Sequence, residues 1–323
     1  MKWRKLGKVF DPTEHKLPNN CESFAQSPQA IVLEDRVRIY FSSREKEGNG
    51  PMFLSRVLYV DFAKDMINIL AISPQEVLPL GELGTFDEHG IFPFSPVRVD
   101  NQIYAYTCGW SRRVSVPVET ATGLAISEDN GNSFTRIGAG PVLGPSVKEA
   151  MLVGDSFVLP IEDKFYMWYI YGEKWKPATS TEPPARIYKI AFAQSKDGIQ
   201  WEKEEGRPII DDVLGSDECQ ALPTVIRLDG MFHMYFCFRE ATDFRRDPGR
   251  GYRLGYAYSQ NGLDWVRDDN LGGLEKSDSG WDSEMMCYPH IFQSDEQVYM
   301  LYNGNEFGRQ GFGLAKLESM NNA

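Results

Sequence analysis

The chain contains five copies of a unit of about 65 residues, and this internal repeat limits the possible folds more than any other feature of the sequence. Each copy has a short segment rich in aromatic and aliphatic side chains that follows a polar turn. These segments lie at 36–40, 102–106, 164–168, 231–235 and 297–301. Because apolar residues in them alternate with a period near two, they are typical of β-strands. The repeat therefore predicts a β-rich architecture built from five equivalent units.

The remainder of each unit predicts further strands separated by turns. An apolar strand precedes each aromatic segment, at 28–33, 94–99, 157–161, 223–228 and 289–293. A third strand, such as 188–193, follows a longer loop. A fourth begins with an aromatic residue, such as Trp201 or Trp265, whose ring we expect in the core between units. Four antiparallel strands in a radially repeated unit are typical of a β-propeller blade.

We therefore predict an all-β fold in which residues 1–323 form one domain, a single five-bladed β-propeller of four-stranded antiparallel blades. The fifth unit lacks a fourth strand, and the N-terminal segment 3–10 is similar in composition and length to 201–209. We expect that segment to close the ring and to cover an otherwise unpaired sheet edge. No segment predicts a helix of normal length. The predicted blades cover about 22–78, 88–141, 149–210, 218–268, and 284–318 together with 2–10.

The composition argues against several classes of partner. The 323 residues have a formal net charge of -12, which argues against binding to nucleic acid or to an anionic membrane surface. No apolar run is long enough for a membrane span, and the N-terminus lacks the apolar stretch of a signal peptide. The 5 cysteines are scattered without a Cys-x-x-Cys spacing, which favours reduced thiols and a cytoplasmic location.

The connections between blades, and those between second and third strands, are long and share one face of the predicted propeller. Long loops on a rigid scaffold commonly carry sites. Two neighbouring carboxylates suit glycosidic chemistry, because one protonates the leaving oxygen while the other activates water or attacks. An acid before a strand can equally be a turn former or a solvated charge. The acids expected around a central funnel are Glu22, Asp87, Glu88, Glu149, Asp155, Glu218, Asp282 and Glu284.

The same face carries cationic, amide and indole side chains that suit sugar binding. Arginines bind carboxylate, sulfate or phosphate groups. Arg112 and Arg113 could instead pair with nearby acids, whereas Trp110 and Trp175 are the candidates for stacking on a sugar ring. The expected binding residues are Arg44, His89, Trp110, Arg112, Arg113, Trp175, Arg239, His290, Asn303 and Asn305.

With its five units and its pattern of acids, the chain resembles the five-bladed propeller superfamily of arabinanases, xylosidases, invertases and levansucrases. It also resembles uncharacterised propeller proteins associated with surface polysaccharides. The resemblance extends over essentially the whole chain and implies three catalytic acids. Asp155, in Val-Gly-Asp-Ser-Phe, stands where the superfamily has an Asp in the third blade, and Glu218 resembles the acid Glu before the fourth. The first acid is missing, since Gln26-Ser27-Pro28 occupies its position.

Three hypotheses follow. In the first, the protein is a glycoside hydrolase or transglycosidase for a charged or modified sugar. Glu218 is its acid, Asp155 tunes the acid, and Glu22 or Asp87 is the base. In the second it is a non-catalytic sugar-binding propeller, and in the third a scaffold for polysaccharide biosynthesis.

The sequence predicts a carbohydrate or sugar derivative as partner and no cofactor. A structural Ca²⁺ in the central hole is conceivable, because inward carbonyls and carboxylates suit calcium. No loop has a calcium-binding signature, and the histidine spacing does not indicate a transition-metal site.

Overall fold

The computed structural model describes residues 1–48, 50, 52–179 and 182–320, and its regular structure consists almost entirely of β-strands. The first unit contains β2 (Cys21–Val32), β3 (Val37–Lys46), β4 (Phe53–Phe62) and β5 (Ile69–Ile72). The second contains β6 (Gly90–Val99), β7 (Gln102–Arg112), β8 (Val118–Ser127) and β9 (Thr135–Arg136).

The third and fourth units repeat this arrangement. The third contains β10 (Met151–Ile161), β11 (Lys164–Lys176), β12 (Ala185–Ser195) and β13 (Glu202–Lys203). The fourth contains β14 (Glu218–Leu228), β15 (Met231–Glu240), β16 (Arg253–Ser259) and β17 (Val266–Arg267). Neighbours in each unit pair antiparallel in sequence order, and one parallel pairing, Ser55 with Gly90, links the first two units.

The last sheet joins the two ends of the chain. It contains β18 (Cys287–Ser294), β19 (Gln297–Asn303) and β20 (Phe312–Ser319), and the N-terminal strand β1 (Lys2–Phe10) pairs antiparallel with β20. The only helical segments in the described ranges are Pro12–Glu14, Asp269–Leu271 and Asn305–Gly308. None of them has the length and apolar character that crossing a membrane requires.

The first strand of every unit lies innermost. These strands contact one another in the cyclic order β2, β6, β10, β14, β18 and back to β2. The fold is thus all-β and made of four-stranded antiparallel sheets that match propeller blades. The repeated aromatic segments form the second strands β3, β7, β11, β15 and β19, as predicted.

The aromatic residues that mark the repeat join one sheet to the next. The hydroxyls of Tyr40 and Tyr106 donate to the carbonyls of Gly131 (2.7 Å) and Gly198 (2.9 Å), in the turns after the third strands of the following sheets. Trp168 donates to Gly262 in the same way (3.0 Å). These glycines have positive φ, and a Cβ on Gly131 would lie 2.1 Å from the Tyr40 hydroxyl. Both the backbone conformation and the close approach therefore require glycine.

Apolar clusters fill the spaces between sheets. Trp201 contacts Tyr106 and Trp265 contacts Trp168, with ring centroids 5.6 Å and 6.1 Å apart. Both pairs cross from one sheet to the next, so the prediction that these tryptophans belong to the core is confirmed. All 5 cysteines are buried and unpaired, as expected for small apolar residues.

Candidate functional site

Each inner strand breaks register near its beginning. The shifts fall between Gln26 and Gln29, Ile91 and Phe94, Gly154 and Phe157, Ala221 and Thr224, and Cys287 and His290. Such bulges redirect side chains and are frequent next to functional sites. Here they bring five residues to equivalent positions, one from each sheet: Ser27, Phe92, Asp155, Leu222 and Tyr288.

Aromatic rings meet across the centre of the molecule in this bulge layer. Phe92 and Tyr288 come from strands that are not neighbours, yet their ring centroids are 5.1 Å apart. Two residues further along the strands, Phe157 and His290 also meet, at 6.0 Å. Side chains thus occupy the centre at both levels, where the sequence analysis expected a hole. The Asp155 carboxyl lies in the first of these two levels, the bulge layer that also contains Phe92 and Tyr288.

Asp155 is the bulge residue that carries an acid. The residue is 8% exposed, and its Oδ2 accepts a hydrogen bond from the backbone N–H of Leu222 (3.3 Å). Burial raises the pKa of this carboxyl to about 7, and the positive charge of Arg186 opposes part of the increase. A carboxyl with this pKa carries a proton in much of the population at neutral pH, which suits a general acid.

Arginines surround this layer without acidic partners. We call Arg44, Arg186, Arg239 and Arg245 the arginine cluster. Among the described residues, none of the four has a carboxylate within ion-pair distance. Their charges influence one another: Arg245 is affected by Arg239 and Arg186, and Arg44 by Arg245. The cluster is therefore a connected region of uncompensated positive charge.

Arg44 is held between two aromatic rings. Its guanidinium carbon lies 3.8 Å from the ring centroid of Phe24 and 4.1 Å from that of Phe53, and its Nε donates to Gln26 Oε1 (3.2 Å). Burial, with smaller contributions from the charges of Arg245 and Arg309, lowers the pKa of Arg44 to about 10. The side chain remains cationic at neutral pH, and its terminal nitrogens make no hydrogen bond within the described part of the chain.

Arg239 is buried, with 3% exposed, and holds two phenols. Its Nη2 donates to the Tyr188 hydroxyl (2.9 Å), and that oxygen lies 2.5 Å from the Tyr252 hydroxyl. The guanidinium carbon is 3.6 Å from the ring centroid of Phe244. Arg245 follows on the same loop and is exposed to solvent beside Phe244. Cationic, phenolic and aromatic groups thus gather around Tyr288.

Most of the acids predicted for the funnel serve the fold instead. Four of them pair with a base on the outermost strand of their own sheet, and we call these the outer-strand ion pairs. Each of these acidic residues is at most 2% exposed. The pairs are Asp87 with Arg136 (2.6 Å), Glu149 with Lys203 (2.8 Å), Glu218 with Arg267 (2.6 Å) and Asp282 with Lys5 (2.7 Å).

Glu218 illustrates how completely these acids are engaged within the protein. One of its oxygens accepts the backbone N–H groups of Val213 and Leu214 (2.9 Å each), and the other accepts from Arg267 and Gln220. With no exposure and with both oxygens engaged, it cannot reach a sugar. The structure therefore does not support Glu218 as the acid. Asp87, engaged by Arg136, is equally unsuited to be the base.

Other predicted site residues make local contacts. Arg112 pairs with Glu47 (2.7 Å) and Arg113 with Glu119 (3.3 Å), which is the structural alternative. Asn303 and Asn305 bond to the backbone, and Glu22 pairs with Lys46 at the surface. Glu88 accepts the Gly84 N–H, whereas Glu284 is exposed.

The predicted histidines and tryptophans also have local roles. His89 stacks on Trp110, and His290 is buried. Trp110 and Trp175 lie within β7 and β11, not on loops, and Trp175 is half-buried against the core.

Of the predicted residues, the structure brings together Asp155, Arg44 and Arg239. Sequence reasoning missed the residues that complete the site because it searched for acids. A signal was present, since four of the five bulge residues precede a proline, and a proline within an inner strand indicates a bulge because it cannot donate a ladder hydrogen bond. The residues missed are Gln26, Arg186, Tyr188, Arg245, Tyr252 and Tyr288.

Within the described part of the chain, no group of three or more His, Cys, Asp or Glu side chains is placed to hold a metal ion. The donors near the arginine cluster are instead suited to anions and hydroxyl groups.

Comparison with solved structures shows that this fold is similar to those of several glycoside hydrolases and of a phosphorylase. A structure described as a glycoside hydrolase superimposes with a TM-score of 0.74 and 15% identity, over 99% of this chain and 92% of that one. A β-1,2-mannobiose phosphorylase from Listeria innocua gives a TM-score of 0.68 with 12% identity, over 98% and 96% of the two chains. At such identities the similarity establishes the fold, and the resemblance inferred from the sequence is confirmed at that level.

The family itself follows from a sequence relative. The chain is 35% identical over 321 residues to the Mycobacterium tuberculosis protein named "Uncharacterized protein MT1551", and the alignment covers 99% of this chain and 100% of the relative. The chain belongs to the family of that protein. No family model matches the sequence.

Proposed function

We propose that the protein binds an anionic carbohydrate at the bulge layer and cleaves or transfers a glycosidic bond there, with Asp155 as the acid. The observation that carries the proposal is one protonatable, buried carboxyl that feels the charge of Arg186, in a region where four arginines have no carboxylate within ion-pair distance among the described residues. Aromatic side chains at the same place, among them Phe24, Phe53 and Phe244, suit the apolar faces of a sugar.

The fold on which this proposal rests is a single-domain, five-bladed β-propeller whose ring is closed by β1. It is supported by the five four-stranded sheets, by the cyclic contacts of the inner strands and by the pairing of β1 with β20. A cytoplasmic location belongs to the same proposal. It is supported by the five buried, unpaired cysteines.

In the proposed reaction Asp155 donates its proton to the glycosidic oxygen as the bond to the anomeric carbon breaks. Water or a sugar hydroxyl forms the new bond to that carbon and loses a proton, which restores the acid over the cycle. A neutral carboxyl is required for the first step, and the raised pKa of Asp155 provides it at neutral pH.

The alternative is a non-catalytic propeller that binds an anionic sugar, alone or as a scaffold in polysaccharide assembly. One observation favours it: four of the acids expected in the funnel are engaged in outer-strand ion pairs, so Asp155 has no second carboxylate of that group beside it. Hydrolysis by two carboxylates needs them roughly 5–10 Å apart.

The experiment compares wild type with Asp155→Asn on a panel of anionic oligosaccharides, with product release followed by mass spectrometry. Because an amide oxygen can still accept the Leu222 N–H, the variant is expected to fold and to bind sugar. Turnover should fall at least about 100-fold, the usual size of a general-acid contribution. Wild-type turnover should also decrease above about pH 7 as Asp155 loses its proton.

The matched control is Glu296→Gln, which removes an exposed acid in the turn between β18 and β19 and should leave turnover unchanged. Turnover that survives Asp155→Asn would exclude Asp155 as the acid. Sugar binding without any turnover in the wild type would support the non-catalytic alternative.

A further inference from the structure

The buried end of the arginine cluster has hydrogen-bond donors without acceptors. The hydroxyls of Tyr188 and Tyr252 are 2.5 Å apart, and Arg239, which can only donate, donates to Tyr188. Whichever phenol donates to the other, one hydroxyl hydrogen is left over. The Nε of Arg239 is also buried, and it makes no hydrogen bond with the described residues. Unsatisfied buried donors are costly and rare, so they indicate a ligand that accepts hydrogen bonds.

The open end of the cluster has charges without counter-charges. Burial lowers the pKa of Arg44 and of Arg245, and repulsion adds to this effect: the charge of Arg245 lowers the pKa of Arg44, and the charges of Arg239 and Arg186 lower that of Arg245. Arg186 contributes a third charge beside Asp155. Phe24 and Phe53 hold the Arg44 guanidinium on its two faces, so it cannot turn away to solvent freely. An anion bound among these groups would relieve the repulsion.

The number of charges distinguishes among anions. When Asp155 is protonated, it contributes no negative charge to offset the four guanidinium groups. A ligand with a single carboxylate would neutralise only one of their four positive charges. A phosphate monoester carries a charge between about -1.5 and -2 at neutral pH, so it would offset about two of the four guanidinium charges, and it offers three strong acceptor oxygens. One guanidinium group can donate two parallel N–H hydrogen bonds to two oxygens of the same phosphate, which makes this pairing particularly favourable.

We infer that the arginine cluster, with the Tyr188 and Tyr252 hydroxyls, binds a phosphate group. This names the ligand chemistry of the site in the proposed function and rests on that proposal only for the presence of a sugar. The phosphate belongs either to a phosphorylated sugar or to free inorganic phosphate, and the binding groups are the same for both.

Binding is measured by titration calorimetry at about pH 7.5 and low salt with four probes: glucose 6-phosphate, glucose 1-phosphate, inorganic phosphate and glucuronate. Glucuronate and glucose 6-phosphate carry their anionic group at the same end of the same sugar. A phosphate-bearing probe should bind at least about tenfold more tightly than glucuronate, as expected for a dianion among several guanidiniums. Binding of inorganic phosphate indicates the free ion, and binding of sugar phosphates alone indicates a phosphorylated sugar.

The variants Arg245→Gln and Arg44→Gln should each weaken phosphate binding about tenfold or more, and Tyr252→Phe should weaken it several-fold. Arg245 is exposed, so its variant should fold normally. Arg207→Gln, which removes an exposed arginine that pairs with Glu204, is the control and should bind as wild type does. The inference is overturned if no phosphate-bearing probe binds, if glucuronate binds as tightly, or if binding is indifferent to Arg245 and Arg44.

Failure of this inference and failure of the proposed function give different results. Phosphate binding that depends on Arg245, in a protein that cleaves no glycoside, supports the inference and contradicts the proposed catalysis. Cleavage that depends on Asp155, in a protein that does not bind phosphate, supports the proposed catalysis and contradicts the inference. Asp155→Asn should retain phosphate binding, because its carboxyl is not among the inferred phosphate ligands.

Discussion

The outer-strand ion pairs and the arginine cluster are two charged regions of the same sheets, and they differ in how their charge is compensated. In the ion pairs every buried acid meets a base at 2.6–2.8 Å, and the arrangement recurs in four sheets. In the cluster four arginines gather around a layer whose residues differ from sheet to sheet. Charged residues that recur from unit to unit stabilise the sheet of their own unit. Residues that differ between equivalent positions of the units are therefore the better guide to a binding site.

The comparison predicts its largest effect at Glu218. Glu218→Gln removes one of the two carboxylates that pair with the buried Arg267, and the free energy of unfolding should decrease by about 3–4 kcal/mol, the lower part of the usual cost of breaking a buried pair, because Asp269 (2.9 Å) remains beside Arg267. Arg245→Gln removes a charge that has no carboxylate partner and should change it by less than about 0.5 kcal/mol. Urea unfolding of both variants and of wild type at neutral pH measures the difference.

The contrast between the ion pairs and the arginine cluster would be contradicted if Glu218→Gln had the same free energy of unfolding as wild type but no turnover. That result would return Glu218 to the catalytic role that the sequence suggested. A large loss of stability in Arg245→Gln would show instead that the cluster is structural.

Much of the fold could be predicted from the sequence because the repeat has a physical cause. Tyr40, Tyr106 and Trp168 recur because each donates a hydrogen bond to a glycine carbonyl of the next sheet, so spacing and residue type are both constrained. Leu301 occupies the same position in the fifth unit and cannot donate, yet the strand pattern was sufficient to identify the unit.

The site was less accessible to sequence reasoning. Asp87, Glu149, Glu218 and Asp282 recur before the inner strands, and a sequence cannot show whether a recurring acid faces a funnel or a base that lies 49 residues or more away along the chain. The register shifts that bring Asp155 and Tyr288 into one layer depend on pairing between strands, which is set only in the folded sheet. Arg44 and Arg239 were predicted at the start of long loops, and the structure places them near the ends of the strands β3 and β15 that lead into those loops.

The second effect concerns the acid of the site. Burial holds the pKa of Asp155 at about 7, above the 3.8 of an unperturbed carboxyl, so the folded protein keeps a proton that the unfolded chain releases. Its contribution is most favourable below about pH 4 and is lost as pH rises towards 7. Between about pH 4.5 and pH 7.5, wild type should lose roughly 3 kcal/mol of unfolding free energy relative to Asp155→Asn.

The measurement is urea unfolding of the two proteins across that range, with the difference between them plotted against pH. Parallel curves would mean that Asp155 is ionised at neutral pH like an ordinary carboxylate. The cluster would then contain its own counter-charge, and its contrast with the ion pairs would be weaker.

The smallest predicted effect is a pH dependence of stability that comes from His290, in the centre of the molecule next to the bulge layer. His290 is 4% exposed, neither ring nitrogen makes a hydrogen bond with the described residues, and burial lowers its pKa to about 3. The folded protein therefore excludes a proton that the unfolded chain takes up below about pH 6.5, so stability should fall as pH decreases. From about pH 7 to pH 5, wild type should lose roughly 2 kcal/mol relative to His290→Phe.

Equal acid sensitivity of wild type and His290→Phe would show that His290 becomes charged inside the folded protein. That charge would lie directly below Asp155 and Tyr288 and would extend the uncompensated positive region to the molecular centre. A steeper loss in wild type would instead confine the positive charge to the arginines. The bulge layer would then separate a neutral aromatic core from the cationic surface on which the proposed ligand binds.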